Sequence, residues 1–167
     1  IFLLADYFWR GGWPSVRANW KLHATMGVAG LAGVAFVASI LSTSGSAGFG
    51  LRDLSPAAYL FTQFRMFWRY LRMMVLPIGL NVDPDIPVSQ SILDHGALFG
   101  AIAIVALLAA AWLWRQQARL ASFGILVFTV LLAPTSSFVP ILDVFAERRV
   151  YLPFIGICCI ALEGLRR

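Results

Sequence analysis

The chain has 167 residues, of which 60% are hydrophobic and only 13% charged, with a net charge of +5 and a mean hydropathy of +0.80. Soluble domains carry about a quarter charged residues, so this composition argues against a water-soluble globule and for a polytopic membrane protein. The basic balance does not point to nucleic acid, because the Lys and Arg residues fall in short clusters between apolar runs, as in membrane topology.

The sequence opens inside an apolar run, 1–8, which reads as the tail of a spanning helix. No basic region precedes it, as a signal peptide would require. Arg10, Arg17 and Lys21 then fill a short loop. A second span is predicted over 22–44, where Gly27, Gly30 and Gly33 present small residues at which helices can approach closely. Further spans are predicted over 96–114, 120–140 and 150–165, since about 20 apolar residues cross a bilayer. Pro134 and Pro140 are expected to end the 120–140 helix early, and Pro153 falls in the first turn of the last. Trp9, Trp13, Trp20, Trp112, Trp114 and Tyr151 sit at the ends of apolar runs and suit the headgroup layer. The fold class is therefore all-α, a transmembrane bundle of about four to five spans. Both ends read as cut, so the chain is expected to be a partial transmembrane domain of a longer protein, with no soluble domain of its own.

Three basic clusters alternate correctly along the chain: Arg10/Arg17/Lys21, Arg115/Arg119 and Arg166/Arg167. All three are assigned to the cytoplasm, which leaves 45–95 and 135–149 outside. The external segment 55–76 (SPAAYLFTQFRMFWRYLRMMVL) reads as a helix with Ser55 as N-cap, Pro56 at the first helical position and Pro77 as its stop. Arg65, Arg69 and Arg72 fall within about 60° of one another on it, with Thr62 beside them. Three arginines at mid-bilayer are unfavourable, so an interfacial or re-entrant amphipathic helix is expected. Its stripe either lies on anionic lipid or faces a site that holds an anion. The loop after it is turn-rich around Asp83, Pro84, Asp85 and Pro87, and Ser91 or Asp94 is a candidate cap for the next helix.

No phosphate-cradling glycine loop, nucleophile elbow or metal-binding Cys/His spacing is present. Cys158 and Cys159 read as small apolar core residues, and His23 and His95 as isolated interfacial histidines. Besides the arginine stripe, one segment stands out. Residues 133–153 (APTSSFVPILDVFAERRVYLP) hold Asp143, Glu147, Arg148 and Arg149 between two apolar helices. The segment is either a solvated loop with local ion pairs or a functional site. Arginine suits phosphate because its planar fork donates paired hydrogen bonds.

The run TQFRMFWRYLRMMVLPIGLNVDPDIP resembles a stretch of the transmembrane and tetratricopeptide-repeat-containing O-mannosyltransferase family. The run LAPTSSFVPILDVFAERRVYLPFIG resembles a second, with Pro134, Ser136, Ser137, Pro140, Glu147, Arg148, Tyr151, Leu152 and Pro153 in the expected order. Residues 1–10 are similar to the run that precedes a basic cytoplasmic loop in that family. The resemblance implies a GT-C glycosyltransferase moving a sugar, typically mannose, from a polyprenyl-phosphate carrier to an acceptor protein or glycan outside the cytoplasm. It implies an inner or plasma membrane in a bacterium, or the endoplasmic reticulum membrane in a eukaryote. Arg65, Arg69 and Arg72 match the first motif and Glu147 and Arg148 the second. With Arg149 they form the candidate phosphate-binding set, and Arg69, Arg72 and Arg148 are the favoured contacts. The catalytic acidic residue of the class lies in an external loop that would precede Ile1. No cofactor is assigned beyond a divalent cation, for which Asp83 and Asp85 offer carboxylates. Two other readings stay open. One is a non-catalytic anchor for an external repeat domain. The other is a transporter or flippase, which the uncharged centres of the spans disfavour.

Overall fold

The computed structural model describes residues 1–41, 54–78, 86–136, 139–141 and 144–167. Among these the chain is all-helical, with seven α-helices: α1 Phe2–Trp9, α2 Trp13–Ala18, α3 Trp20–Leu41, α4 Pro56–Val75, α5 Ala97–Leu113, α6 Arg119–Leu132 and α7 Phe154–Arg166. Short 3-10 turns occupy Asp94–Gly96 and Glu147–Val150. The chain divides into two compact units, Ile1–Ser44 and Gly45–Arg167.

In the first unit, the loop predicted after residue 8 contains a helix of its own. Gly11 and Gly12, with φ of 109° and 75°, turn the chain out of α1. Such angles are open to glycine because it lacks a Cβ. Pro14 then sits in the first turn of α2. Helix α3 is exposed from Ala24 to Ile40, and a Cβ added at Gly27, Gly30 or Gly33 meets nothing within 4 Å. The close helix approach expected at these glycines is therefore absent among the described residues.

In the second unit, α4 forms where its punctuation predicts. The Ser55 Oγ accepts the Ala58 backbone N–H at 3.1 Å, Pro56 fills the first helical position, and the helix stops before Pro77. Its buried stripe runs Ala58, Tyr59, Thr62, Gln63, Met66, Phe67, Tyr70 and Met73, at helical spacing. The apolar part of that stripe joins Phe128, Leu132, Phe145 and Val150 in one core, with Ile104, Leu107 and Ile157 packed against it. The residues of this core lie in the middle of α5, the last turns of α6 and the first turn of α7, so α4 packs on the part of the bundle where α6 ends and α7 begins. A Cβ at Gly100 would come within 2.6 Å of the Phe64 carbonyl oxygen, so only glycine lets α5 approach this closely. The Trp68 Nε1–H donates to the Gly100 carbonyl at 3.1 Å and fixes the crossing.

The opposite end of the bundle is closed by Glu163 of α7. Its carboxylate accepts the Leu120 backbone N–H at 3.1 Å, satisfying one of the orphan donors at the start of α6. Arg167 donates to the Gln117 carbonyl at 2.8 Å.

Among the described residues, two helices are long and apolar enough to cross a bilayer, Trp20–Ile40 and Asp94–Leu113. The spans predicted over 120–140 and 150–165 are shorter than expected. Helix α6 stops at Leu132: Ala133 keeps helical dihedrals, but Pro134 has no N–H with which to continue the hydrogen-bond ladder. Helix α7 begins at Phe154, since Glu147–Val150 forms a 3-10 turn instead. At 1.5 Å per residue, α6 and α7 each reach about 20 Å, against a hydrocarbon core of about 30 Å. Neither Ser91 nor Asp94 caps α5, whose N-cap is Gly96. The Asp94 carboxylate instead accepts the Ser91 N–H and closes its own turn.

Helices α6 and α7 meet at Gly124 and Gly156. A Cβ at either would collide with the carbonyl oxygen of the other, and one at Gly156 would also lie 2.9 Å from the Phe128 Cβ. Cys159 packs here against Gly124, whereas Cys158 is exposed and not the core residue expected. We predict that Gly156→Ala destabilises the chain by about 1–3 kcal/mol through overpacking, measured by thermal unfolding in detergent. Gly30→Ala, with open space around the added carbon, is expected not to lower stability.

Candidate functional site

The two arginine-bearing segments meet on α4. The segment 144–150 runs along one side of the helix and is tied to it by buried hydrogen bonds. The Tyr70 hydroxyl accepts the Ala146 N–H at 3.1 Å, and the Gln63 amide donates to the Val144 carbonyl at 2.9 Å. Between these bonds Phe145 stacks on Tyr70, with ring centroids 4.7 Å apart and 15° between planes. The Arg69 guanidinium lies 4.8 Å from the centre of the same Phe145 ring, a cation–π contact that fixes its position.

Arg149 reaches back toward the start of α4. Its guanidinium donates to the Tyr59 hydroxyl at 3.3 Å, to the Thr135 carbonyl at 3.2 Å and to the Val144 carbonyl at 3.3 Å. Tyr59, fully buried, donates its own hydroxyl proton to the Thr135 carbonyl at 2.7 Å. One arginine therefore draws together α4, the turn after α6 and the 144–150 segment. Beside it two buried polar atoms, Gln63 Oε1 and Ser136 Oγ, have no hydrogen-bond partner among the described residues.

Arg65 turns to the other flank of the helix. It donates to the Pro87 carbonyl and to the Ser89 hydroxyl, both at 3.0 Å. Buried Ser89 also donates its backbone N–H to the Thr62 hydroxyl at 2.9 Å. Burial lowers the Arg65 pKa from its ordinary value, and the like charge of Arg69 one turn along lowers it further. Arg72 is exposed in the last turn of α4. Glu147 is half-buried and Arg148 exposed on the 3-10 turn. The stripe that looks continuous in sequence is thus divided: Arg69 faces the 144–150 segment, Arg65 holds 86–89, and Arg72 is in solvent. Asp83, Asp85, Ser137 and Asp143 lie outside the described residues. No group of three or more His, Cys, Asp or Glu side chains suited to a metal occurs among the described residues.

Charge and motif do not single out three neutral residues of this junction, Tyr59, Gln63 and Tyr70. Their signal was present: hydroxyl and amide groups on the apolar face of an amphipathic helix need buried partners. Nor do charge and motif single out Asp6. In the first unit this buried carboxylate accepts the Asn19 amide at 2.8 Å and the Ser15 hydroxyl at 3.3 Å, and pairs with Arg10 at 3.6 Å. His23 Nε2 lies 3.1 Å from it, so His23 is partnered and not isolated. One acidic side chain joins α1, α2 and α3. His95 is exposed in a left-handed turn, with φ of 54°.

No protein-family model, curated protein or solved structure matches the chain.

Tyr70→Phe leaves the Ala146 N–H buried without its acceptor. We predict a loss of about 1–3 kcal/mol, checked by denaturant or thermal unfolding, with the 144–150 segment becoming more sensitive to protease.

Proposed function

We propose that this chain is part of the membrane domain of a glycosyltransferase, and that the junction of α4 with the 133–150 segment holds the phosphate of a lipid-linked sugar at the external interface. The observation that carries this reading is that the 144–150 segment lays its Phe145 against Arg69 of α4 and brings its Arg149 to Tyr59 of the same helix. Two further features favour an anionic, hydroxyl-bearing ligand. Gln63 Oε1 and Ser136 Oγ are buried polar atoms without a partner among the described residues; the amide oxygen can accept from a sugar hydroxyl and the serine hydroxyl can donate to a phosphate oxygen. Arg65 and Arg69 are like charges one turn apart, and an anion would relieve their repulsion.

In this reading Arg69, Arg72, Arg148 and Arg149 bind the departing phosphate, and Glu147 orients an arginine or the acceptor. Arg65 acts structurally, holding the 86–89 segment. The acceptor hydroxyl forms a bond to the anomeric carbon as the bond from that carbon to the phosphate oxygen breaks. The hydroxyl proton passes to a base outside this chain. Arginines preplaced where negative charge develops lower the barrier. The carrier is a polyprenyl phosphate, the sugar a mannose-like hexose and the acceptor a protein or glycan.

The reading includes a multi-pass topology. Its support is the polarity of the bundle. Arg115, Arg119, Arg166 and Arg167 gather at one end, and α4 with its polar loops covers the other. That matches a cytoplasmic and an external face. Helices α6 and α7 would cross as short members of the bundle, with local thinning of the bilayer and neighbouring turns completing the span.

In the full-length protein, Arg72→Ala and Arg148→Ala are expected to lower transfer from a polyprenyl-phosphate-linked sugar by roughly 10²-fold or more, the scale of losing one charge-stabilising donor. Undiminished transfer by both variants would overturn the phosphate role. For topology, with Cys158 and Cys159 replaced by serine, single cysteines at Gln90 and Gln116 are labelled with an impermeant thiol reagent. Gln90 is expected to label from outside and Gln116 only after permeabilisation. The reverse pattern inverts the topology and removes the proposed external site.

A further inference from the structure

The end of the bundle away from α4 carries its own charge pattern. The turn after α5, the first turn of α6 and the end of α7 are held together by the Leu120–Glu163 and Arg167–Gln117 hydrogen bonds. That arrangement brings the segments bearing Arg115 and Arg119 to the one bearing Arg166 and Arg167. Glu163 is internally neutralised. One oxygen accepts the Leu120 N–H and the other faces the Arg167 guanidinium at 3.3 Å. The surface is thus strongly basic, and its acid is buried.

The surroundings of these arginines are apolar and outward-facing. Trp114 is 58% exposed, Leu113 73% and Leu165 85%, and Trp112 and Leu162 are also exposed. The Arg115 guanidinium lies 4.6 Å from the centre of the Trp112 ring while donating to the Trp112 carbonyl, which keeps the charge at the helix end. Basic groups in a ring of exposed Trp and Leu at the ends of apolar helices match the boundary between headgroups and acyl chains. A nucleic acid or an acidic peptide would meet the arginines but leave the Trp and Leu rim in water.

We propose that this end of the bundle is a binding surface for the headgroup phosphates of anionic phospholipids, with Arg119 and Arg166 as the principal contacts and Arg115 held ready on Trp112. The proposal rests on the membrane reading above and is separate from the sugar-phosphate site at the α4 end. Each basic residue near an anionic surface strengthens association roughly fivefold.

The test uses the full-length protein purified in detergent and titrated with phosphatidylglycerol or phosphatidylcholine, with bound lipid counted by native mass spectrometry. Preferential retention of phosphatidylglycerol is expected. Arg119→Ala with Arg166→Ala should reduce it by roughly 20-fold, and added salt should weaken it in the wild type. Equal retention of the two lipids, or an unchanged preference in the double variant, would overturn the proposal and leave the membrane reading standing. The same would follow if inorganic phosphate at matching concentration displaced the lipid completely, since the site would then read a free anion. Release of the protein from membranes by carbonate washing would instead overturn the membrane reading, and this inference with it.

Discussion

The architecture of the second unit depends on how α4 solves a burial problem. Its stripe is apolar enough to demand cover, yet it carries Tyr59, Thr62, Gln63 and Tyr70, none of which can enter an apolar core without partners. The apolar residues pack on α5, α6 and α7 through Met66, Phe67 and Phe128. The polar residues recruit non-helical backbone instead: Thr135, Val144 and Ala146 on one flank and Ser89 on the other. Loop backbone carries unpaired carbonyls and N–H groups that themselves need partners. Each loop therefore finds in α4 the hydrogen bonds it lacks, and α4 finds in the loops a way to bury its polar groups. The arginines are positioned as a consequence, because Arg69 and Arg149 rest on the residues that make this exchange.

How far this was legible in the sequence depended on the range of each interaction. Ser55, Pro56 and Pro77 bound α4 because capping and proline geometry act within one turn, and its amphipathic face follows from local spacing. The end of α6 near Pro134 and the small extent of regular structure over 133–153 are local in the same sense. Interactions between distant residues left no such trace. Gly27, Gly30 and Gly33 look like a packing stripe, yet the glycines under close contact are Gly100, Gly124 and Gly156. Spacing within one helix cannot say which neighbour arrives. Glu163 looks like a stray charge near the end of an apolar helix and instead caps another helix 43 residues away in sequence.

The same distinction governs the candidate site. The angular clustering of Arg65, Arg69 and Arg72 was readable, since it needs only the helical period. Their division between two flanks was not, because it depends on where 86–89 and 144–146 return to the helix. Asp6 is a sharper case. Its partners lie 9, 13 and 17 residues ahead, on two further helices and the linker between them. In sequence the residue is one acid in an apolar run, a pattern that flags a buried charge without naming what neutralises it.

The arrangement of charge in the second unit favours a role in which the two ends of the bundle differ. An anchor needs arginine only at the headgroup layer, and the end bearing Arg119 and Arg166 meets that need with exposed side chains. At the α4 end the design is different: Arg149 is half-buried and donates to three oxygens, and Arg69 is held against an aromatic ring. Fixing a long cationic side chain sacrifices about 2 kcal/mol of rotamer freedom. A surface that met only mobile headgroups would gain little from that ordering. Preorganised guanidinium groups are worth their entropy where charge must be met in one geometry, as at a departing phosphate. Arg149, tied to three oxygens from separate segments, is the arginine of the proposed site whose ordering fits a binding role better than a simple anchor.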